Sequence, residues 1–353
     1  MSKNRLAVFK ERGFLFICGA VFWVQTDYTY SQEKSLAEID SLLNLAVVAT
    51  ITQNYSQSEA LIAQAIARSP QDPFGHLFHA AMLQSRMLDY EDYSDEKEFF
   101  KSLKTCRNLA QKSLQRQPND ARLHFLLGSA YGYESFYAGK KQRYLEAVHT
   151  GWKCIQHLET AIRLDSTFYD AYLGIGTYKY YRSKLKLAFF FSDERAEGLA
   201  MVRKAATQGK YARYAAINGL TWMLLDENRA AEALTLTDSI LVQYPHSRFF
   251  LWGAAAAANQ LGDHERARNA YHRIMASLRE QGRLSPYLEA VCRTKLAKTQ
   301  FNSGSREQGC AEVALIAQLE LSKAPRRKEI EKQLKHLQEN CQGTMSNGHT
   351  GNE

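Results

Sequence analysis

The stretch YKYYRSKLKLAFFF, residues 178–191, combines six aromatic side chains with four cations and contains no acidic residue. Aromatic rings provide contact area at a low cost in conformational entropy, and Arg or Lys side chains bind carboxylates. This composition is typical of a recognition surface rather than of a reaction centre. Three interpretations of the stretch stay open: buried packing, a groove that binds a partner, and contact with a membrane.

Helical spacing assigns different roles to these side chains. Tyr178 and Tyr181 recur with Leu185 and Ala188 on one stripe, so they are expected in the core. Three phenylalanines then directly precede a Ser-Asp-Glu sequence that predicts a new helix start: Phe189, Phe190 and Phe191. They therefore fall at a turn, where exposed rings would contact a membrane or an apolar partner.

The groove interpretation selects basic and aromatic side chains in and near this stretch that would line an inner surface of the protein. The residues predicted to bind a partner are Tyr172, Lys179, Tyr180, Arg182, Lys186 and Arg213.

Positive charge is concentrated in the same part of the chain. Residues 125–214 contain 14 Lys or Arg and eight Asp or Glu, whereas the whole chain of 353 residues has a formal net charge of +8. They also contain 18 of the 40 aromatic residues. A concentrated field attracts an acidic partner, so an acidic protein or peptide is expected. Nucleic acid is not expected, because the charge is modest and the chain carries an export pattern.

No catalytic motif occurs in the sequence: there is no Walker loop, nucleophile elbow or HExxH. Gly174 and Gly176 follow no strand, which favours close helix packing over nucleotide binding. His76 and His79 have no supporting carboxylate or cysteine at ligand spacing, so no metal site and no cofactor are expected. A carbohydrate-active or other envelope enzyme built on a helical frame is the alternative to a binding protein.

Residues 1–31 have the pattern of a secretory signal peptide. Four cations precede an apolar run over 13–24, and polar residues follow. The run is short for a membrane span, which needs about twenty residues. Cleavage after Ser31 is predicted, and with it a periplasmic or outer-membrane-associated protein. The alternative is an uncleaved N-terminal anchor.

Five cysteines follow this segment: Cys106, Cys154, Cys292, Cys310 and Cys341. Their odd number and the lack of a C-x-x-C spacing argue against a disulfide framework and against a zinc site. One disulfide would be stable in an oxidising compartment, but the sequence does not select its two partners.

Similar helix-like segments recur along the chain. DARLHFLLGSAY (120–131), YDAYLGIGTYKY (169–180) and YAAINGLTWMLL (214–225) each follow the end of another apolar-periodic segment. Pro70, Pro118 and Pro245 close such segments. Internal repetition of this kind predicts a stacked helical-repeat architecture.

The recurring segments resemble the tetratricopeptide repeat (TPR) family, whose unit is a helix–turn–helix of about 34 residues. Leu127, Gly128 and Tyr131 match the first helix of the motif, and Ala267 and Tyr271 match the second. The resemblance extends over about residues 39–323. It implies an all-α, right-handed superhelical solenoid of antiparallel helix hairpins.

The prolines predict the phase of the units. They are expected to begin near residues 39, 73, 121, 169, 214, 248 and 290, and the second to fourth are longer than the family's period. A surplus of about two turns per helix keeps the apolar stripe on the same side. In this phase Cys106 and Cys154 occupy the small-residue position of their units and Cys310 lies next to it, so the resemblance implies packing roles for all three.

The predicted organisation is a signal peptide (1–31), a TPR-like solenoid of about seven units (32–323), a capping helix (324–341) and a disordered tail (342–353). The predicted function is that of an exported scaffold or adaptor, which binds an acidic or aromatic-bearing partner on the concave face of the middle repeats. Besides the enzyme, a membrane-anchored assembly factor is an alternative.

Overall fold

A computed structural model of the chain describes residues 37–184, 192–322 and 326–342. These residues form fifteen α-helices and no β-strand. Helix α1 covers residues 37–51. The other helices are α2 (Tyr55–Arg68), α3 (Pro73–Tyr90), α4 (Glu96–Leu114), α5 (Ala121–Lys140), α6 (Tyr144–Leu164), α7 (Ala171–Lys184), α8 (Arg195–Gln208), α9 (Arg213–Asp226), α10 (Ala230–Leu241), α11 (Arg248–Gln260), α12 (His264–Glu280), α13 (Pro286–Asn302), α14 (Arg306–Ala317) and α15 (Arg327–Gln342).

The helices pack in the order in which they follow along the chain. From α1–α2 to α13–α14, consecutive helices form seven hairpins, and each hairpin packs on the next. Helix α15 packs against both helices of the seventh hairpin. Because each hairpin buries its apolar face mainly against its neighbours, the arrangement is a solenoid. The predicted all-α solenoid of helix hairpins is confirmed.

Helix caps define where the second and third hairpins begin. The Asp72 carboxylate accepts a hydrogen bond from the Phe74 amide at 2.9 Å, and Pro73 is the first residue of α3. The Asp120 carboxylate accepts from the Leu123 amide at 3.2 Å at the start of α5. These side chains satisfy amides that have no partner within the helix.

The turns inside the hairpins share one backbone feature. Each described turn contains one residue with positive φ, between 48° and 79°: Gln53, Glu91, Gln142, Asn228, Gly262 and Gly304. At Gly262 and Gly304 this conformation costs nothing, because glycine has no Cβ. The shared left-handed residue identifies the hairpins as copies of one structural unit, although their sequences differ.

Among the hairpins that the structure describes in full, the second and third are the longest. Helices α5 and α6 have 20 and 21 residues, whereas α9 and α10 have 14 and 12. Helices α3 and α4 have 18 and 19 residues. The surplus length of these units is therefore helix, as the periodicity of the apolar residues predicts.

Small residues allow close helix approach inside the hairpins. A Cβ on Gly176 would lie 2.6 Å from the Gly198 carbonyl oxygen, so α7 and α8 cross nearly backbone to backbone. Cys106 and Cys154 are free and buried, which agrees with their predicted packing role. Burial raises the pKa of both thiols to about 12, so they remain protonated at neutral pH.

The prediction of a packing role for Cys310 was wrong. Cys310 on α14 forms a disulfide with Cys341 on α15, across a sequence separation of 31 residues. The bond covalently attaches the final helix to the seventh hairpin. Sequence reasoning could not select this pair, because the pairing depends on how α15 folds back onto α14.

The N-terminal hairpins contact the segments that connect each later hairpin to the next. We call the row of these connecting segments the link edge. Four successive links are contacted in order. Tyr211 (α8–α9) donates to Asp40 at 2.8 Å, and Ser247 (α10–α11) donates to the Ile51 carbonyl at 2.6 Å. The last two contacts join Tyr90 to Gln281 at 3.3 Å and Arg326 to Glu91 at 2.7 Å. Residues up to 235 positions apart in the sequence thus contact one another along the link edge.

Arg248 is the most buried charge in these contacts, with 0% exposure. Its guanidinium donates to both carboxylate oxygens of Asp89, at 3.0 and 2.5 Å, and also to Ser277 and Gln281. Its backbone amide donates to the Gln53 side chain at 2.9 Å. Arg248 at the start of α11 therefore joins α3 and α12 through its side chain and the α1–α2 turn through its backbone amide.

Candidate functional site

The residues predicted to bind a partner do not form one exposed wall. Tyr180 is fully buried, and its hydroxyl contacts the carboxylates of Asp226 and Glu227 at 2.5 and 2.9 Å. It therefore joins α7 to the α9–α10 turn and has no surface to offer a partner. In contrast, Tyr178 and Tyr181, predicted in the core, are 40% and 48% exposed, so that prediction was wrong.

The contact between α7 and α8 explains why Tyr180 is buried while Tyr178 and Tyr181 are exposed. Gly176 meets Gly198 on α8, and Tyr180, one turn later on the same face, meets Gly198 as well. This stripe faces α8 because only glycine permits the close crossing. Tyr178 and Tyr181 are then directed away from the hairpin interface.

The two cations of α7 predicted to contact a partner form ion pairs at the start of α8. The Lys179 ammonium lies 3.0 Å from Glu194 and 2.8 Å from Glu197. Arg182 pairs with the other oxygen of Glu194, and its guanidinium lies 5.2 Å from the Tyr178 ring centre. These pairs order the start of α8, and their role in partner binding stays a prediction.

The remaining predicted residues are distributed differently. Tyr172 is largely buried, with the Lys204 ammonium 5.2 Å from its ring centre. Arg213 is exposed at the first residue of α9. The predicted binding residue Lys186 lies outside the described residues, and so does the whole predicted apolar edge: Phe189, Phe190 and Phe191. Whether these three rings are exposed at a turn therefore stays a prediction.

A cleft of about 650 Å³ lies beside this cluster, along α8 and the α9–α10 turn. We call it the α8 cleft. Leu199, Ala196 and Ala200 form its apolar floor. Its polar lining consists of Asp193, Arg195, Arg203, Lys204, Thr207, Glu227 and Arg229.

Carboxylates hold three of the four cations of the cleft in place. Arg195 lies 2.8 Å from Asp193 and 3.2 Å from Glu227. Arg203 and Arg229 share Glu232, at 3.3 and 2.5 Å. Hydrogen bonds from Arg195 lower the pKa of Asp193 to about 2, so this acid stays charged at neutral pH. With Glu232 included, four cations face three carboxylates, which leaves the cleft with a net charge of +1.

Lys204 differs from the other cations of the cleft. Within the described residues no carboxylate lies within 4.0 Å of its ammonium, which instead lies 5.2 Å from the centre of the Tyr172 ring. An ammonium in this position can form an ion pair with an incoming carboxylate without first losing an existing one.

Sequence reasoning missed the α8 cleft. Helix α8 alternates acids and bases in DERAEGLAMVRKA, so its local composition resembles an ordinary solvated helix. Arg229 joins the cleft only because hairpin five packs on hairpin four. Three cations on α8, Arg195 and the adjacent Arg203 and Lys204 about two turns later, were the available signal.

The arrangement of the described side chains gives little support to the alternative that the protein is an enzyme. The closest approach to a catalytic arrangement is His79, whose Nδ1 lies 2.8 Å from Ser102 Oγ, with Glu59 3.9 Å from the other ring nitrogen. The Ser102 hydroxyl is buried, so it cannot meet a substrate. Within the described residues no group of three or more His, Cys, Asp or Glu could hold a metal ion.

None of the helices in the described residues is long and apolar enough to cross a membrane.

No protein-family model and no curated protein matches the chain. Among solved structures it is similar to TTC0263, a thermophilic TPR protein of Thermus thermophilus (18% identity, 62% of this chain and 98% of that one, TM-score 0.39). It is also similar to the C-terminal part of a TPR repeat-containing protein from Cytophaga hutchinsonii (14%, 83% and 99%, 0.41) and to yeast Tom70 (12%, 95% and 95%, 0.30). These likenesses concern the fold alone, and the sequentially packed hairpins themselves give the chain its TPR-like solenoid fold.

Proposed function

We propose that the protein is an exported TPR-like scaffold that binds an acidic segment of a partner protein in the α8 cleft. The observation that carries this proposal is the row of Arg195, Arg203, Lys204 and Arg229 along an accessible cleft with an apolar floor. Helical-repeat solenoids commonly act through extended binding surfaces of this kind.

The cleft suits a segment that combines carboxylates with apolar side chains. Its carboxylates would pair with Lys204 and Arg203, while an apolar or aromatic side chain would lie on Leu199 and Ala200. Charge-assisted hydrogen bonds to Arg are stronger than neutral ones and are directional, which favours one register of the bound segment. Clustered cations also accelerate the encounter with an acidic partner.

The α8 cleft is not the surface expected from the sequence, which was a concave face formed by the first helices of the hairpins. Lys179 and Arg182 serve it indirectly, because their ion pairs with Glu194 hold the start of α8. The Tyr172 ring packs against the Lys204 ammonium and so helps to position it. Of the residues predicted for binding, these three take positioning roles in the proposal.

Two observations support the proposed export. The first is the basic and then apolar pattern of residues 1–31. The second is the disulfide between Cys310 and Cys341, a bond that persists in oxidising compartments and is rare in the cytosol. Sequencing the N-terminus of the chain isolated from its cells should yield a protein that begins at Gln32; an intact N-terminus would contradict cleavage.

Fluorescence anisotropy with a labelled acidic peptide tests the binding function. A short peptide rich in Glu and containing Tyr and Leu should bind, and its counterpart with Lys in place of Glu should not. The double variant Arg203→Glu with Lys204→Glu should weaken binding of the acidic peptide at least about tenfold, or about 1.4 kcal/mol. Its melting temperature should stay near that of the wild type, because both side chains are exposed.

The matched control is Lys101→Glu with Lys104→Glu, which reverses two exposed cations on α4, away from the cleft. A general charge effect would weaken binding equally in both double variants, and that result would overturn the assignment of the cleft. Absence of binding by the wild-type protein to any acidic peptide would overturn the proposed function itself.

A further inference from the structure

The tip of the third hairpin exposes five large apolar side chains, which we call the apolar tip. They are Phe136 on α5 and Tyr144, Leu145, Val148 and Trp152 on α6, with exposures between 55% and 91%. Single exposed apolar residues are common on proteins, but a cluster of this size marks a surface that another body covers.

Helix α6 has two apolar faces. One consists of Thr150, Cys154, Leu158 and Ala161, which are buried. The other consists of Leu145, Val148 and Trp152, which recur at helical spacing and are exposed. A helix with apolar residues on two sides is expected to be covered on both. Only the first face is covered by the described residues.

The apolar tip coincides with the surplus length of the hairpin. Helix α6 is nine residues longer than α10, and nine residues from its start span 144–152. Helix α5 exceeds α9 by six residues, and its last six include Phe136. At a rise of 1.5 Å per residue the tip extends about 9 to 14 Å beyond a short hairpin. The five exposed side chains therefore lie in the part of the third hairpin that the shorter hairpin five lacks.

Three cations lie at the tip, and a carboxylate pairs with each of them. Lys140, Lys141 and Arg143 lie in and beside the α5–α6 turn, where Glu146 is the nearest acid in sequence. Their ion pairs with Glu91, Glu96 and Glu146 measure 3.5, 3.6 and 3.0 Å. The pairs of Lys141 and Arg143 are exposed and contribute little in water, so these two cations can turn to other anions, whereas the pair of Lys140 and Glu91 is mostly buried.

We propose that the apolar tip inserts into the interfacial layer of a phospholipid membrane and that the adjacent cations bind anionic headgroups. Trp and Tyr are enriched at this depth of a bilayer, and interfacial helices bury their apolar faces about 5 to 10 Å into it. An exposed cluster of Trp, Tyr and aliphatic side chains with cations beside it has the composition of a surface that binds lipid.

Co-sedimentation of the chain from Gln32 onward with vesicles tests the proposal. The protein should bind phosphatidylcholine vesicles that contain phosphatidylglycerol, and bind pure phosphatidylcholine more weakly. Leu145→Ser with Trp152→Ser should reduce the partition coefficient at least about tenfold, since two large apolar side chains lose their contact with lipid. The melting temperature should not fall, because both side chains are exposed.

The control is Leu164→Ser with Val242→Ser, at the ends of the second helices of hairpins three and five, where exposures are 38% and 86%. This control variant should bind vesicles like the wild type, and so should Arg203→Glu with Lys204→Glu. Quenching by bromine-labelled lipids gives an independent readout: the quenching should be lost in Trp152→Phe, which identifies the inserted indole.

Several results would overturn the proposal. One is the absence of binding to either kind of vesicle. Another is an equal loss in the tip variant and in the control variant. A third is protection of Trp152 from iodide quenching in the free protein, which would mean that another part of the chain or a second copy already covers the tip.

Discussion

At the scale of single residues, Tyr180 illustrates how an aromatic side chain in a basic segment can be structural. Its ring is buried between α7 and α8, and its hydroxyl contacts Asp226 and Glu227. Burial, followed by the two carboxylates, raises the pKa of this phenol. The hydroxyl therefore stays protonated and donates to the α9–α10 turn, beside the α8 cleft.

We expect Tyr180→Ala to lower the free energy of unfolding by about 3 to 5 kcal/mol, the range for large-to-small changes in a core. Tyr178→Ala, two residues away and 40% exposed, should cost less than about 1 kcal/mol. Urea denaturation of both variants measures the difference. Equal losses would contradict the assignment of Tyr180 to the core.

The pair His124 and His157 predicts how stability depends on pH. Their Nδ1 atoms lie 3.1 Å apart, and burial together with His124 lowers the pKa of His157 from its ordinary value of 6.5. The unfolded chain then binds the proton more readily than the folded chain. The contribution of His157 to stability is therefore complete above about pH 6.5 and is lost as the pH falls towards its folded-state pKa.

His157→Gln should accordingly reduce the loss of stability between pH 7 and pH 5. His336→Gln, which changes an exposed side chain on α15, is the matched control. Thermal melts across this pH range measure both slopes. An unchanged slope in His157→Gln would show that the proton is taken up elsewhere.

At the scale of helices, the crossing of α7 and α8 depends on two glycines. A Cβ on Gly198 would lie 2.6 Å from the Gly176 carbonyl oxygen and 2.9 Å from the Tyr180 amide nitrogen. Neither is a flexible side-chain end, so a larger residue must push the two helices apart. The orientation of α8, and with it the α8 cleft, follows from this contact.

We expect Gly198→Ala to destabilise the protein by about 1 to 3 kcal/mol, the usual cost of overpacking, although alanine is the better helix former. The same substitution at Gly139 on α5, where a Cβ would meet no atom within 4 Å, should stabilise by up to about 1 kcal/mol. Chemical denaturation compares the two. Stabilisation by both substitutions would mean that the crossing is not tight.

The helices were also the elements that sequence reasoning described best. Apolar periodicity and the prolines predict units near residues 73, 121 and 248, and α3, α5 and α11 begin there. The faces of the helices were harder to predict: α7 carries tyrosines on several faces, at positions 172, 178, 180 and 181, so periodicity alone could not decide whether Tyr178 or Tyr180 is buried. Contacts between distant hairpins, and the cation row that crosses two hairpins, depend on superhelical geometry, which no local pattern encodes.

At the scale of the whole molecule, the N-terminal hairpins close the link edge of hairpins four to seven and of α15. The bidentate pair between Arg248 and Asp89 lies at the centre of these contacts, and the Arg248 side chain is inaccessible to water. A buried charge that loses its partner is costly, whereas an exposed one is not.

Asp89→Asn should therefore cost about 3 to 5 kcal/mol, because the Arg248 guanidinium then stays buried without its counter-charge. Asp238→Asn, which removes the partner of the exposed Arg266, should cost less than about 1 kcal/mol. Urea denaturation followed by circular dichroism measures both. A small loss in Asp89→Asn would mean that the N-terminal hairpins are held by other contacts.

Hydrogen exchange in the presence of an acidic peptide tests the central claim most directly. If the α8 cleft is the binding surface, addition of the peptide should slow amide exchange in α8 and in the α9–α10 turn, and the effect should disappear in Arg203→Glu with Lys204→Glu. Protection confined to other hairpins, with α8 unchanged, would contradict the account.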